Sequence, residues 1–177
     1  MSDQQISDVV SGGVRIIGTL RAEGARGVVR MEDVYDTDAA DLWRALTEPR
    51  RLERWIADVK GELRRGGEFH IRFTSGWEGQ GRVDVCEEGR RLRVTTTEQD
   101  TGDETVIEAV LTPEGAKTRL VVEERGLPVS AVANHGAGWQ AHVEDLAAHL
   151  AGRERCDWHT RWEQLIPSYR DLAVARG

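Results

Sequence analysis

The chain is poor in cysteine. Cys86 and Cys156 are its only two among 177 residues, far apart and with no CxxC pair. That argues against a disulfide framework and a paired-thiolate metal site, and suits a reducing compartment. A concentrated basic field is also missing: the net charge is −7 and the pI about 5.3. Nucleic acid and anionic membranes are therefore not expected as partners. No apolar run approaches membrane-spanning length. Residues 1 to 10 include Asp3 and Asp8 and lack a basic-then-apolar signal pattern, so a cytoplasmic location is the expectation. There is no internal repeat, no GxSxG elbow, no P-loop and no dinucleotide fingerprint.

What remains suits one globular domain. A hydrophobic fraction of 39% leaves out 19 glycines, and adding 19/177 brings it to about half, the ordinary range. A chain this long buries roughly 70% of the surface it exposes when unfolded. We expect a loose N-terminus over 1–13, one domain over 14–152, and a helical extension over 153–177 that packs on it.

Periodicity then orders the elements. IIGTLRAEGARGVVRMEDVYD reads as two strands around Gly24-Ala25-Arg26-Gly27, with Val29, Met31, Asp33 and Tyr35 on one face. Two short helices follow, the first capped by Asp38 with Asp41 three residues on, the second opened by Pro49. From 57 to 125 the period becomes two. Phe69, Ile71 and Phe73 share a face, as do Trp77, Gly79, Gly81, Val83 and Val85, and as do Leu120, Val122 and Glu124. This is an antiparallel meander with one buried face. The glycine pair Gly79 and Gly81 would bend the sheet or admit another group closely, bending being the plainer reason.

A helix follows in GAGWQAHVEDLAAHLAG, residues 136 to 152, where Trp139, Val143, Leu146, Ala147 and Leu150 form one stripe. That places Trp139 in its first turn and its stripe on the concave side of the sheet. In the tail, Trp158, Trp162, Leu165, Ile166, Tyr169 and Leu172 keep helical spacing, and Pro167 should kink or split that helix. The class is α+β.

Several strings resemble the helix-grip (START/SRPBCC) superfamily, which includes START domains, pollen-allergen-like proteins and polyketide cyclases. More narrowly they resemble the family of the activator of heat-shock protein 90 ATPase homologue-like proteins. They are LWRALTEPRRLERWI at 42–56, RRGGEFHIRF at 64–73, GQGRVDVCEEGRRL at 79–92, TRLVVEERGL at 118–127 and, most tellingly, GAGWQAHVEDLAAHLAG. The resemblance covers roughly 16 to 152. It implies a helix-grip fold, a curved antiparallel sheet wrapped around a long C-terminal helix, with an apolar cavity between them that takes a hydrophobic small molecule. The family name implies chaperone contact.

On that basis Phe69, Ile71, Phe73, Trp77, Val122, Trp139, Val143 and Leu146 are expected to line the cavity, with Glu124 and His142 as its polar groups. The expected partner is a small hydrophobic or amphipathic ligand, bound without covalent chemistry by a monomer or homodimer. A chaperone is the alternative partner, and a cyclase or dehydratase using Glu124 and His142 as general acid and base a third reading. No cofactor and no metal are expected. His135, His142 and His149 recur every seven residues, about 10.5 Å of rise, too far for one ion, and Cys156-x-x-His159 has no second half.

Each polar candidate also has a plainer reading. His142 is either a polar group on the cavity wall or a half-buried border residue, with Asp145 in reach to pair with it or with His149. Glu124 and Asp33 continue apolar faces, so each either meets the cavity and needs a partner, or marks a strand end that has reached solvent. Trp55, Trp77 and Trp139 are cavity lining with a polar handle, or ordinary core.

Overall fold

A computed structural model describes residues 9–11, 14–172 and 174–176. The expectation of a loose stretch over 1–13 lies outside the described residues, except that Val9–Ser11 (β1) pairs antiparallel with Val14–Ile16 (β2). Strands β3 (Gly18–Glu23) and β4 (Arg26–Tyr35) form the anticipated hairpin, turned at Gly24 with φ 62°. A left-handed backbone of that kind is open to glycine without a Cβ penalty. Helix α1 (Ala39–Thr47) begins where the Asp38 side chain accepts from the Asp41 N–H, and α2 (Pro49–Trp55) begins on its proline.

Strands β5 (Ala57–Gly61), β6 (Glu68–Phe73), β7 (Glu78–Glu87), β8 (Arg91–Glu98), β9 (Glu104–Glu114) and β10 (Lys117–Pro128) form the meander. Strand β10 then returns to β4. After a short 3₁₀ turn come α3 (Val132–Leu150), α4 (Trp158–Asp171) and β11 (Ala175–Arg176). Among the described residues the main sheet runs β11-β3-β4-β10-β9-β8-β7-β6-β5, antiparallel except where β11 joins β3. The α+β expectation holds: a curved antiparallel sheet faces a long C-terminal helix, with two short helices after the first strands. No helix among the described residues is long and apolar enough to cross a membrane.

Three local expectations are corrected. Gly81 serves close approach rather than bending, because the Phe69 ring lies over it where a side chain would stand. Trp77 belongs to the turn before β7, not to the strand, and its ring crowds Gly79. Helix α4 runs unbroken through Pro167. Proline removes one N–H, and the Glu163 carbonyl that would have accepted it belongs to an exposed residue, where solvent can satisfy it. Leu165 and Ile166 before the proline and Tyr169 after it are all buried, so packing holds both halves in one rod.

Helix α3 starts four residues earlier than its sequence suggests, at Val132. Gly136 and Gly138 are poor helix formers, but tertiary packing overrides them. A Cβ on Gly136 would lie 2.6 Å from the Tyr169 ring, and one on Gly138 3.1 Å from the Trp158 ring. The glycines therefore let α4 press against α3. As a result α3 is buried on two sides, with Trp139, Val143 and Leu146 in the apolar core and Gln140 and Asp145 also hidden. Gln140 is fully used: its oxygen accepts from the Tyr169 hydroxyl at 2.6 Å, and its amide donates to the Arg15 carbonyl at 2.7 Å.

Candidate functional site

The site is built on the end of β10. Alternation turns Glu123 outward, where Arg21, Arg30 and Arg125 all donate to it. Glu124 therefore turns inward, and only 7% of it is exposed. It is not a strand end that has reached water. Its Oε2 accepts from the Trp139 indole N–H at 2.5 Å and lies 3.2 Å from His135 Nδ1, while its Oε1 accepts from the Thr105 hydroxyl at 3.1 Å. Burial works to raise the Glu124 pKa, but these hydrogen bonds and the charge of His135 hold it below the ordinary carboxylate value. Burial likewise opposes charge on His135, yet Glu124 brings its pKa above the ordinary value. The two shifts agree on an ion pair with Nδ1–H donating to the carboxylate.

His142 follows a different rule. It is 5% exposed, with its ring 5.6 Å from that of Phe73 and 5.5 Å from that of Trp158, and Trp139 edge-on at 5.9 Å. Desolvation alone pushes its pKa down to about 3, so the imidazole is neutral. Its Nδ1 is 3.5 Å from the Thr74 hydroxyl, and Nε2 has no partner among the described residues. The Asp145 pairing does not occur. Asp145 instead accepts from the Cys156 backbone N–H at 2.8 Å, and its second oxygen is buried without a partner. Burial accordingly raises the Asp145 pKa.

Between sheet and helices lies a cavity of about 300 Å³. Phe73, Trp77, Thr96, Ile107 and Glu124 line it from the sheet side. His135, Gly138, Trp139 and His142 line it from α3, and Trp158, His159 and Trp162 from α4. Of the residues named from sequence, Phe73, Trp77, Glu124, Trp139 and His142 meet here. Phe69, Ile71, Val122, Val143 and Leu146 do not line it. Four of these are buried in the packed core, and Ile71 is half-buried against it. Their spacing gave the correct face but not the depth along it, and the void lies toward the open ends of the strands.

Trp55 is core as well, its indole N–H donating to the Ala45 carbonyl at 2.9 Å. Asp33 pairs with Arg15 at 3.2 Å, away from the cavity. His149 accepts from Arg51 Nε at 3.1 Å. No cluster of metal-ligating side chains occurs among the described residues.

Among the lining residues that sequence reasoning missed, His135, Trp158 and Trp162 matter most. Beginning the helix at 136 left His135 outside it. Begun at 132, the helix places 135, 139 and 142 at i, i+4 and i+7, one face. Trp158 and Trp162 stack at 5.9 Å on α4. Their indole N–H groups donate to α3 carbonyls, Trp158 to Gly138 at 3.3 Å and Trp162 to Asn134 at 3.0 Å.

Comparison with known proteins places this geometry among relatives. A family model described as Activator of Hsp90 ATPase homolog 1-like protein matches residues 36–151. Helix α4 lies beyond that match. The crystal structure of CalU16 from Micromonospora echinospora is similar in fold, with TM-score 0.73 and 24% identity over 88% of this chain and 94% of that one. DynU16, from the dynemicin biosynthetic locus, is 29% identical with TM-score 0.68 over 73% of this chain. This chain spans half of DynU16. MLL2253 from Mesorhizobium loti is 27% identical, with TM-score 0.64 over 70% of this chain and 96% of that one. No curated protein matches the sequence.

Proposed function

Because the chain belongs to the family of Activator of Hsp90 ATPase homolog 1-like proteins, and so to the helix-grip architecture, we propose that it binds a small hydrophobic or amphipathic molecule between sheet and helix, without covalent chemistry. One observation carries this reading. A charged carboxylate, Glu124, is held at the wall of an aromatic cavity by three donors. A buried charge is costly unless it is paired, and a pocket of apolar walls with few convergent polar groups is the usual form of a ligand site. Phe73, Trp77, Trp139 and His142 would contact the ligand, and Glu124 would orient it.

The test is a titration of the intact chain with N-phenyl-1-naphthylamine, a neutral probe whose fluorescence rises on leaving water. Saturable binding at one site per chain is expected. Fluorescence that rises linearly with probe, without saturation, would contradict the reading.

A second reading has one observation in its favour. The sequence suggests Glu124 and His142 as a carboxylate–histidine pair for proton transfer, but the pair in contact is Glu124 and His135. A carboxylate that fixes one imidazole nitrogen leaves the other to exchange protons. On this reading, turnover of aromatic polyketide-like substrates would depend on pH and be lost in His135→Gln. Turnover unaffected by that substitution would remove it.

A further inference from the structure

We infer that the ligand is a flat aromatic molecule of roughly two or three fused rings, bearing a hydroxyl or amino hydrogen that it donates to Glu124. The inference rests on the binding reading above and narrows it to a chemical class.

Size comes first. About 300 Å³ is the small end of ligand pockets, room for a few fused rings and too little for a lipid-length chain. The walls decide shape. Phe73 lies 5.4 Å from Trp77 and 6.5 Å from Trp139, both edge-on, and the imidazole of His142 continues the series to Trp158. Three of the four cavity indoles have their N–H groups committed within the protein, to Glu124, Gly138 and Asn134. Those indoles therefore present ring surface rather than donors. Aromatic rings prefer such offset and edge contacts with other rings, beyond what burial of area supplies.

Charge decides the rest. No lysine or arginine lines the cavity. The only full negative charge is that of Glu124, which His135 can at most balance, and the lining His159 faces Glu163 at 3.2 Å, so no cation is left over to hold an anion. A carboxylate offers about four lone-pair sites. Trp139, His135 and Thr105 fill three, which leaves one on Oε1, and Glu124 is among the residues that line the cavity. Hydrogen bonds to a charged acceptor are roughly twice as strong as neutral ones, so a ligand with a donor gains most here. The imidazole Nε2 of His142, without a partner, is a second and neutral handle.

Helix α4 contributes to this selection. It lies outside the region shared with the family model, yet it supplies Trp158 and Trp162, and Gly138 on α3 admits the Trp158 ring where a Cβ would stand 3.1 Å from it.

The experiment displaces N-phenyl-1-naphthylamine from the intact chain with 2-naphthol, 2-methoxynaphthalene, 2-naphthoate and 1-decanol. 2-Naphthol is expected to compete about tenfold or more better than each of the others, the methoxy ether differing by the one hydrogen a site of this kind reads. Glu124→Gln is expected to shrink the naphthol-to-ether ratio, and Trp158→Leu the naphthol-to-decanol ratio. If either variant fails to fold, the ratios in the unaltered chain decide. Equal affinity for 2-naphthol and its ether, or tighter binding of the anion or the alcohol, would overturn the inference and leave the binding reading standing. Failure of all four against a probe that does bind would also overturn it. A probe that never binds saturably would overturn the binding reading itself.

Discussion

At the scale of single residues the site depends on two histidines with opposite electrostatics. Buried His142 has a folded pKa of about 3 against 6.5 unfolded. Its neutral form is the native one, so the unfolded chain takes up the extra proton as pH falls below 6.5 and stability is lost. From pH 7.5 to 5.5 this one group should cost about 1.4 kcal/mol at 1.36 kcal/mol per pKa unit. His135 has the reverse sign. Its pKa is raised, so its contribution is complete below pH 6.5 and fades as pH rises through its folded value. Urea midpoints for the natural chain and His142→Asn at both pH values should differ by about that 1.4 kcal/mol in their pH dependence, and parallel curves would refute the assignment. Trp139→Phe removes one donor from the Glu124 carboxylate and should cost about 1–3 kcal/mol. An unchanged denaturation midpoint would show that bond to be idle. Glu124 was legible as an inward position by alternation, but whether it met water was not. That depended on Trp139 and His135 arriving from a helix whose start two glycines obscured.

At the scale of elements, the strands were legible because each alternates and a turn residue ends it. The two short helices were legible from Asp38 and Pro49. The tail was legible as helical, but its unity and its role were not, because both come from contacts with α3 that no local pattern encodes. Pro167 is exposed, so replacing it sacrifices no packing. Pro167→Ala should restore a hydrogen bond to the Glu163 carbonyl and stabilise the chain by about 1–3 kcal/mol, given a helix-interior proline penalty of ~3 kcal/mol. Thermal unfolding checks this. A lower Tm would mean that the helix is built around its proline.

At the scale of the whole molecule, the family name raises contact with a chaperone. Val129 and Val174, each 37% exposed, are the most open large hydrophobic side chains among the described residues, while charged residues make up 31% of the chain. Such a surface offers ions rather than an apolar patch. Any stimulation of an Hsp90-type ATPase should therefore fall steeply by ~0.5 M salt, where screening acts within a few ångströms. Stimulation indifferent to salt would contradict this. The cavity asks for no partner protein. The proposed site is one void, bounded by the sheet, α3 and α4, that receives a ligand at Glu124.

The six tryptophans make that claim directly testable. Trp77, Trp139, Trp158 and Trp162 line the cavity, whereas Trp43 and Trp55 are buried outside it. In a titration with 2-naphthol followed by the indole N–H resonances, the Trp139 signal should move most and saturate, the other three lining indoles should follow, and Trp43 and Trp55 should stay fixed. A stationary Trp139 signal, or shifts spread evenly over all six, would contradict a ligand site at Glu124.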